Sequence, residues 1–213
     1  MSDDIETEPK AESEVESGDV SETLTTAYER LRHSTDSAEL SDVARRPLPD
    51  RSDAAAFSRA TALLEAVAGN SHTKVEDRVF LARTMPFPNI LVKLSEDPEA
   101  AVRKEVAHNT DSKNWLVGRL TKDEDVEVRT AALLNPQASW KMRLEGAQDP
   151  TTSGEALEFL SHLGVDIEEK APVVLASMVR RGVAENPNTS SDVLERLRND
   201  SQSEVRHAAE KRQ

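Results

Sequence analysis

From Leu24 onward, hydrophobic residues recur at intervals of three and four positions. Leu24, Tyr28 and Leu31 follow the i, i+4, i+7 spacing that places side chains on one face of an α-helix. The same spacing predicts a second helix near 38–45 and a third near 54–68. No segment alternates apolar and polar residues for the length of a β-strand, and no Asn-Gly or Asp-Gly hairpin turn occurs. The pattern therefore predicts an all-α fold.

Farther along the chain, a set of fixed positions repeats. Asp97 is followed five positions later by the pair Val102-Arg103, and the same spacing returns at Asp123 and at Asp200. Two of these copies lie 26 residues apart. Small apolar residues and then an asparagine follow each Val-Arg pair in the best copies, and these asparagines are Asn109, Asn135 and Asn186. Each unit is therefore predicted to be a helix, a turn at the asparagine and a second short helix.

One copy of the repeat is degenerate. Asp149 keeps the 26-residue step from Asp123, but Gly154-Glu155 stands where the Val-Arg pair is expected. We predict that Leu157 and Leu160 supply the buried face of this copy. A unit of about 25–26 residues cannot bury its apolar face alone, so neighbouring units are expected to stack into one solenoid with a continuous core.

This pattern resembles the leucine-rich repeat variant family, whose units are similar in style to HEAT repeats. The positions that carry the resemblance are Val102, Arg103, Val106, Ala107, Asn109, Leu116 and Leu120, then Val128, Arg129, Asn135, Pro136 and Met142, and then Val179, Arg180, Val183, Ala184, Asn186, Pro187, Leu194 and Leu197. The resemblance covers roughly residues 75–213. It implies α-helices alternating with 3₁₀-like helices in a right-handed superhelix, and it implies a binding scaffold rather than a particular activity. Some members carry an iron–sulfur cluster on cysteines, which this cysteine-free chain lacks.

Composition divides the chain into three parts. Residues 1–20 hold eight acids and one lysine and almost no apolar residue, so they are predicted to form a disordered acidic tail. Residues 21–70 are predicted to be an N-terminal helical cap or degenerate repeats. A cap is favoured because an end unit must cover the exposed core. Residues 71–213 are predicted to be the leucine-rich-variant, HEAT-like solenoid.

The residue inventory argues against several classes of function. The chain has no Gly-rich phosphate loop or nucleophile elbow, and its five histidines show no metal-ligand spacing. We therefore expect no enzyme activity, no catalytic residue, no cofactor and no metal. The net charge of −13 makes the chain a poor general binder of nucleic-acid backbones.

Hydropathy indicates where the chain resides. No stretch approaches the roughly 20 apolar residues of a membrane span, and the acidic N-terminus lacks the apolar core of a secretory signal. A cytoplasmic protein with no membrane partner is therefore expected.

Six residues form the predicted partner-binding set: Trp115, Trp140, Lys141, Arg103, Arg129 and Arg180. The two tryptophans lie 25 residues apart in adjacent units, and exposed aromatic residues are typical anchors of protein interfaces. The arginines would line one ridge, which predicts either an anion-binding stripe or, with Asp97, Asp123 and Asp200, a structural Asp–Arg ladder between units.

Two functions are consistent with these features. The first is a non-catalytic protein–protein interaction scaffold or adaptor that uses the solenoid surface, with a protein as its partner. The alternative is a nucleic-acid-binding or HEAT-like-repeat DNA-repair protein that uses the arginine ridge. The recurring asparagines are interpreted as structural residues, since asparagine tolerates the left-handed conformation found after many helices.

Overall fold

The computed structural model describes residues 22–212. Within this range the chain forms thirteen α-helices and no β-strand, so the predicted all-α class is confirmed. The helices are α1 (Leu24–His33), α2 (Ser37–Arg45), α3 (Ala54–Ala68), α4 (Val75–Thr84), α5 (Pro88–Leu94), α6 (Ala100–His108), α7 (Asn114–Leu120), α8 (Val126–Leu134), α9 (Trp140–Gln148), α10 (Gly154–Ser161), α11 (Val173–Glu185), α12 (Ser191–Leu197) and α13 (Ser203–Glu210). The acidic tail predicted for residues 1–20 lies outside the described residues.

Local sequence signals set most of these boundaries. Asp36 caps α2 by accepting hydrogen bonds from the backbone N–H groups of Ala38 and Glu39. Asp53 caps α3 in the same way. Pro47 and Pro49 stand between the two helices, where proline prevents a helix from continuing. The predicted positions of these N-terminal helices are accordingly close to the observed ones.

The helices stack in two layers, with the odd-numbered helices in one layer and the even-numbered helices in the other. Tight helix–helix packing does not stay in one layer. It joins α1 to α3 in the odd layer, then α4, α6 and α8 in the even layer, and then α9, α11 and α13 in the odd layer again. The helices that pack most closely on one another therefore change from the odd layer to the even layer at α4, and back to the odd layer at α9.

The second change of layer, at α9, shows that the degenerate repeat copy predicted to begin at Asp149 is wrong. The helix that stacks against α11 is α9, so Met142-Arg143 on α9 occupies the place of the Val-Arg pair. Helix α10, which carries Leu157 and Leu160, is instead the second helix of that unit. The two leucines are fully buried, as predicted. The sequence register was wrong because α9 serves two units, as the second helix after α8 and as the first helix before α11.

The apolar core divides at the same place. One cluster of buried residues extends from Leu31 to Ala138, and a second extends from Ala147 to Ala209. The predicted continuous core is thus two clusters that meet at α9. Gly146 permits the close approach of α9 to α8, because a Cβ atom at this position would lie 2.5 Å from Leu133 Cδ2.

The second helices differ from what the family resemblance implies. Among residues 22–212 no segment is a 3₁₀-helix, and even the seven-residue α5, α7 and α12 are α-helical. The right-handed sense of the superhelix stays a prediction. None of the helices in the described range is both long and apolar enough to cross a bilayer.

Candidate functional site

An Asp–Arg ladder joins neighbouring units along one edge of the stack. Arg103 donates through Nε and Nη2 to both carboxylate oxygens of Asp123, at 2.8 Å each. Arg180 pairs with Asp200 through the same two nitrogens, at 2.7 and 3.0 Å, and Arg78 pairs with Asp97. Arg103 is 8% exposed and Arg180 is 3% exposed. The structure therefore places these two members of the predicted partner-binding set inside the protein, where they hold adjacent units together.

Arg129 occupies the same position on α8 but lacks the carboxylate. Its Nη1 donates to the carbonyl oxygens of Asp123 and Glu124, at 2.9 and 3.0 Å. Asp149 stands at the expected spacing, but its Oδ1 accepts hydrogen bonds from the N–H and the hydroxyl of Thr151, at 2.8 and 2.7 Å. Arg129 is half-buried, and across to the next turn its Nη2 reaches only Thr151, at 3.3 Å from the carbonyl oxygen and 3.5 Å from the hydroxyl.

Arg143 is the ladder arginine that the sequence interpretation missed. It is 2% exposed and donates through Nη1 and Nη2 to the carboxylate of Glu168, at 2.9 and 2.6 Å. Glu168 lies in the connection between α10 and α11 with a φ of 49°, a left-handed conformation that costs energy for a residue with a side chain. The spacing of Met142-Arg143 and Asp149-Pro150 matches that of Val179-Arg180 and Asn186-Pro187, and this match is the signal that identifies the position.

The recurring asparagines tie each tightly packed helix to the preceding helix in its layer. Asn135 donates through Nδ2 to the carbonyl oxygens of Ala107 and Asn109, at 2.7 and 3.1 Å, and its Oδ1 accepts from the Gln137 N–H. Equivalent bonds are made by Asn70, Asn109 and Asn186. The predicted structural role is confirmed.

The predicted left-handed conformation of these asparagines is wrong. Asn109, Asn135 and Asn186 have φ values of −66°, −65° and −73°, with extended ψ. Asparagine stands at these positions because its side-chain N–H groups donate hydrogen bonds to the neighbouring helix. A left-handed backbone is not the reason. Met85 and Asp149 stand at this position in α4 and α9, the helices at which tight packing changes layer. Neither side chain has an amide N–H to donate. This agrees with the packing, since α4 and α9 do not pack closely on the preceding helix of their own layer.

The two tryptophans have different environments. Trp115 lies in the first turn of α7 and is 56% exposed, whereas its neighbours Leu116 and Val117 are buried. Trp140 begins α9, is half-buried and packs against the second core cluster. The guanidinium carbon of Arg143 lies 5.1 Å from the centre of the Trp140 ring, a cation–π contact. Of the pair, only Trp115 presents most of its ring to solvent.

Basic residues lie just before, within and just after α7, and another lies at the start of α9. We call this set the Trp115 surface: Lys113, Trp115, Arg119, Lys122 and Lys141. Lys141 occupies the position on α9 that Trp115 occupies on α7, since each lies six residues after the asparagine of its unit. Asn114 donates to the Gln137 carbonyl at 2.7 Å, and Gly118 faces the Met142 methyl group. Helix α7 therefore lies beside the segment that leads into α9 and against Met142 of α9.

A second exposed apolar region lies on α11 and was not predicted. In the repeat register, α9 and α13 both begin level with Ser177, so α11 extends one turn beyond its neighbours. This extra turn and the next exposed position present Val173, Val174, Leu175 and Met178 to solvent. The extension explains the exposure, because α9 and α13 begin one turn later and, within residues 22–212, leave these side chains uncovered.

Residues 179–202 match the family model described as leucine rich repeat variant. The matched segment includes Arg180, Asn186 and Asp200. The resemblance drawn from the sequence is therefore confirmed for residues 179–202, which are similar to a leucine rich repeat variant unit. Within this segment Arg180 and Asp200 form a rung of the ladder, and Asn186 makes the bonds to the preceding helix that we call the asparagine staple.

Other comparisons add little to this assignment. No curated protein matches the chain. A crystal structure of an engineered protein is similar over 90% of each chain, with 16% identity and a TM-score of 0.21. A TM-score this low does not indicate a shared fold.

The ladder also predicts a pH dependence of stability. Burial raises the pKa of Asp123, but the Arg103 guanidinium and the Asp125 N–H lower it by more, so its pKa lies below the usual value. A depressed pKa in the folded state stabilises the protein above the unfolded-state pKa of about 3.9, and this stabilisation is lost as the pH falls through the folded-state pKa. Arg103→Met should therefore reduce the free energy of unfolding most at neutral pH. Urea denaturation between neutral and acidic pH would show the difference from the wild type shrinking as the pH falls. A difference in free energy of unfolding that stays constant with pH would contradict this prediction.

Proposed function

We propose that this helical repeat protein is a non-catalytic scaffold that binds another protein through the Trp115 surface. The observation that carries the proposal is the 56% exposure of Trp115 on a helix whose opposite face is buried. Stacked helical repeats suit this role, because they build an extended surface without requiring a catalytic pocket.

Trp115 has the properties of an interface anchor. A tryptophan can bury about 150–250 Å² of surface, and tryptophan is among the residues that contribute most to binding free energy. The fold itself does not need a tryptophan at this position, because Leu116, Val117 and Leu120 supply the buried face of α7. Binding to Trp115 would also require little ordering of the chain, since α7 is already packed into the first core cluster.

The nucleic-acid alternative gains no support from the arginines. Arg103 and Arg180 are paired with aspartates, so the predicted ridge does not present a row of unpaired cations. Phosphate binding depends on such cations. The proposal therefore rests on the aromatic anchor and not on the ladder.

The Trp115→Ala variant is expected to weaken partner binding at least tenfold, because loss of a central aromatic anchor costs about 2 kcal/mol or more. Its free energy of unfolding should change by less than about 0.5 kcal/mol, since the Trp115 ring is mostly exposed. Partners would be captured with the full chain from nuclease-treated native lysate and identified by mass spectrometry. Affinity would then be measured with the purified partner by calorimetry.

Val174→Ala is the matched control, because Val174 is also an exposed apolar residue on a helix. It should retain full affinity. Undiminished binding by Trp115→Ala together with loss in Val174→Ala would move the interface to α11 and contradict the proposal. Capture that disappears after nuclease treatment would instead favour the nucleic-acid alternative.

A further inference from the structure

Arg103 and Arg180 show what an arginine at the ladder position of the repeat binds. In Arg103, Nη1 donates to the carbonyl of Asp97, six residues upstream, while Nε and Nη2 hold a carboxylate. Arg180 holds a carboxylate with the same Nε and Nη2 edge, and its Nη1 donates to the Leu163 carbonyl. A backbone carbonyl thus orients each guanidinium group, and the opposite edge receives an aspartate.

Arg129 keeps the hydrogen bond to a backbone carbonyl that orients the guanidinium group. Its Nη1 donates to the carbonyl of Asp123, six residues upstream, as in Arg103. Among residues 22–212, its Nε has no hydrogen-bond acceptor and its Nη2 makes only long contacts to Thr151, at 3.3 and 3.5 Å. The guanidinium group is therefore held in the orientation of a ladder residue, with its carboxylate-binding edge half-exposed.

The change of packing layer explains why this rung differs. Helix α7 has seven residues and is followed by a loop that brings Asp123 to Arg103. Helix α9 has nine residues because it also serves as the first helix of the next unit, so Asp149 follows it directly. Asp149 then closes a turn with Thr151 instead of reaching Arg129.

We propose that Arg129 receives a carboxylate from an aspartate or glutamate side chain of a binding partner, which completes the ladder across the interface. This inference rests on the proposed protein-binding function and assigns the partner an acidic residue. The planar fork of arginine matches a carboxylate in two parallel hydrogen bonds, the geometry already present at Arg103 and Arg180.

The acids near Arg129 are directed to other groups. Asp123 is paired with Arg103, and Asp149 accepts from Thr151. The exposed Glu124 carboxylate lies 3.5 Å from Nη2 of Arg103. The hydrogen bonds from Thr151 chiefly keep the pKa of Asp149 low, and Arg129 and Lys122 add smaller attractions. Lys122 itself pairs with Glu145, at 3.1 Å.

Nuclear magnetic resonance of the arginine Nε–H groups in the full chain tests the site without a partner. Sodium acetate is the probe, with sodium chloride at matched ionic strength as the control for screening. We expect a saturable shift of the Arg129 signal, at least about threefold larger than that of the exposed surface residue Arg32. The signals of Arg103 and Arg180 should not move, because their carboxylates are already in place.

The Arg129→Lys variant assigns the signal and, with the purified partner, should bind more weakly because lysine keeps the charge but loses the fork. A shift at Arg129 no larger than at Arg32 would overturn the proposal. So would an Arg129 Nε–H as protected from solvent exchange as that of Arg103 before acetate is added, since the chain would then supply the carboxylate itself. Neither result depends on Trp115, so this inference can fail while the proposed function stands.

Discussion

Replacing Arg180 with alanine is expected to lower the free energy of unfolding by about 3–5 kcal/mol, the usual consequence of breaking a buried ion pair. Only 4% of the Asp200 side chain is exposed, so the variant would leave a buried carboxylate without its counter-charge. The Leu163 carbonyl would also lose the donor that lies 2.7 Å away. Urea denaturation at neutral pH, followed by circular dichroism, measures the change.

Arg206→Ala is the matched control, because Arg206 holds the equivalent position on α13. Within the described residues it bonds only to the carbonyl oxygens of Asp200 and Ser201, and it is half-buried. Its loss should cost less than about 1.5 kcal/mol. An Arg180→Met/Asp200→Leu double variant should recover most of the stability, since neither charge then remains buried. Equal losses in Arg180→Ala and Arg206→Ala would show that the carboxylate pair is not what stabilises the rung.

Asn135→Ala is expected to lower the free energy of unfolding by about 2–3 kcal/mol, because buried groups would lose hydrogen-bond partners. The carbonyl oxygens of Ala107 and Asn109 would lose a donor, and the Gln137 N–H would lose its acceptor. The first two bonds hold the end of α8 against the end of α6, and the third closes the turn that follows α8. Thermal and urea denaturation would report the loss.

Asn199→Ala supplies the comparison for that experiment. Asn199 follows α12 and is exposed, and within the described residues its side chain donates only to the Glu195 carbonyl of that helix, at 3.1 Å. Its replacement should change stability by less than about 0.5 kcal/mol. If Asn135→Ala were no more destabilising than Asn199→Ala, the asparagine staple would contribute nothing measurable to the stack.

The dual role of α9 shows where a repeat pattern misleads. Counting 26 residues from Asp123 leads to Asp149, which is a correct count but the wrong equivalence. Asp149 stands at the asparagine position of α9, because that helix packs as a first helix against α11. The sequence offers a second register, since Met142-Arg143 and Asp149-Pro150 have the spacing of Val179-Arg180 and Asn186-Pro187. Only the contacts between helices decide between the two registers.

The sequence by itself determined the all-α class, the approximate helix boundaries and the residue types of the ladder and the staples. These follow from local signals, namely the three-to-four spacing of apolar residues, capping aspartates and prolines. Only the tertiary structure decided that Arg103 and Arg180 are paired, that Arg129 lacks its aspartate, and that Trp115 is exposed while Trp140 packs on the core. The physical reason is that exposure and pairing depend on which helix lies alongside, and that neighbour is set by packing in three dimensions rather than by position in the chain.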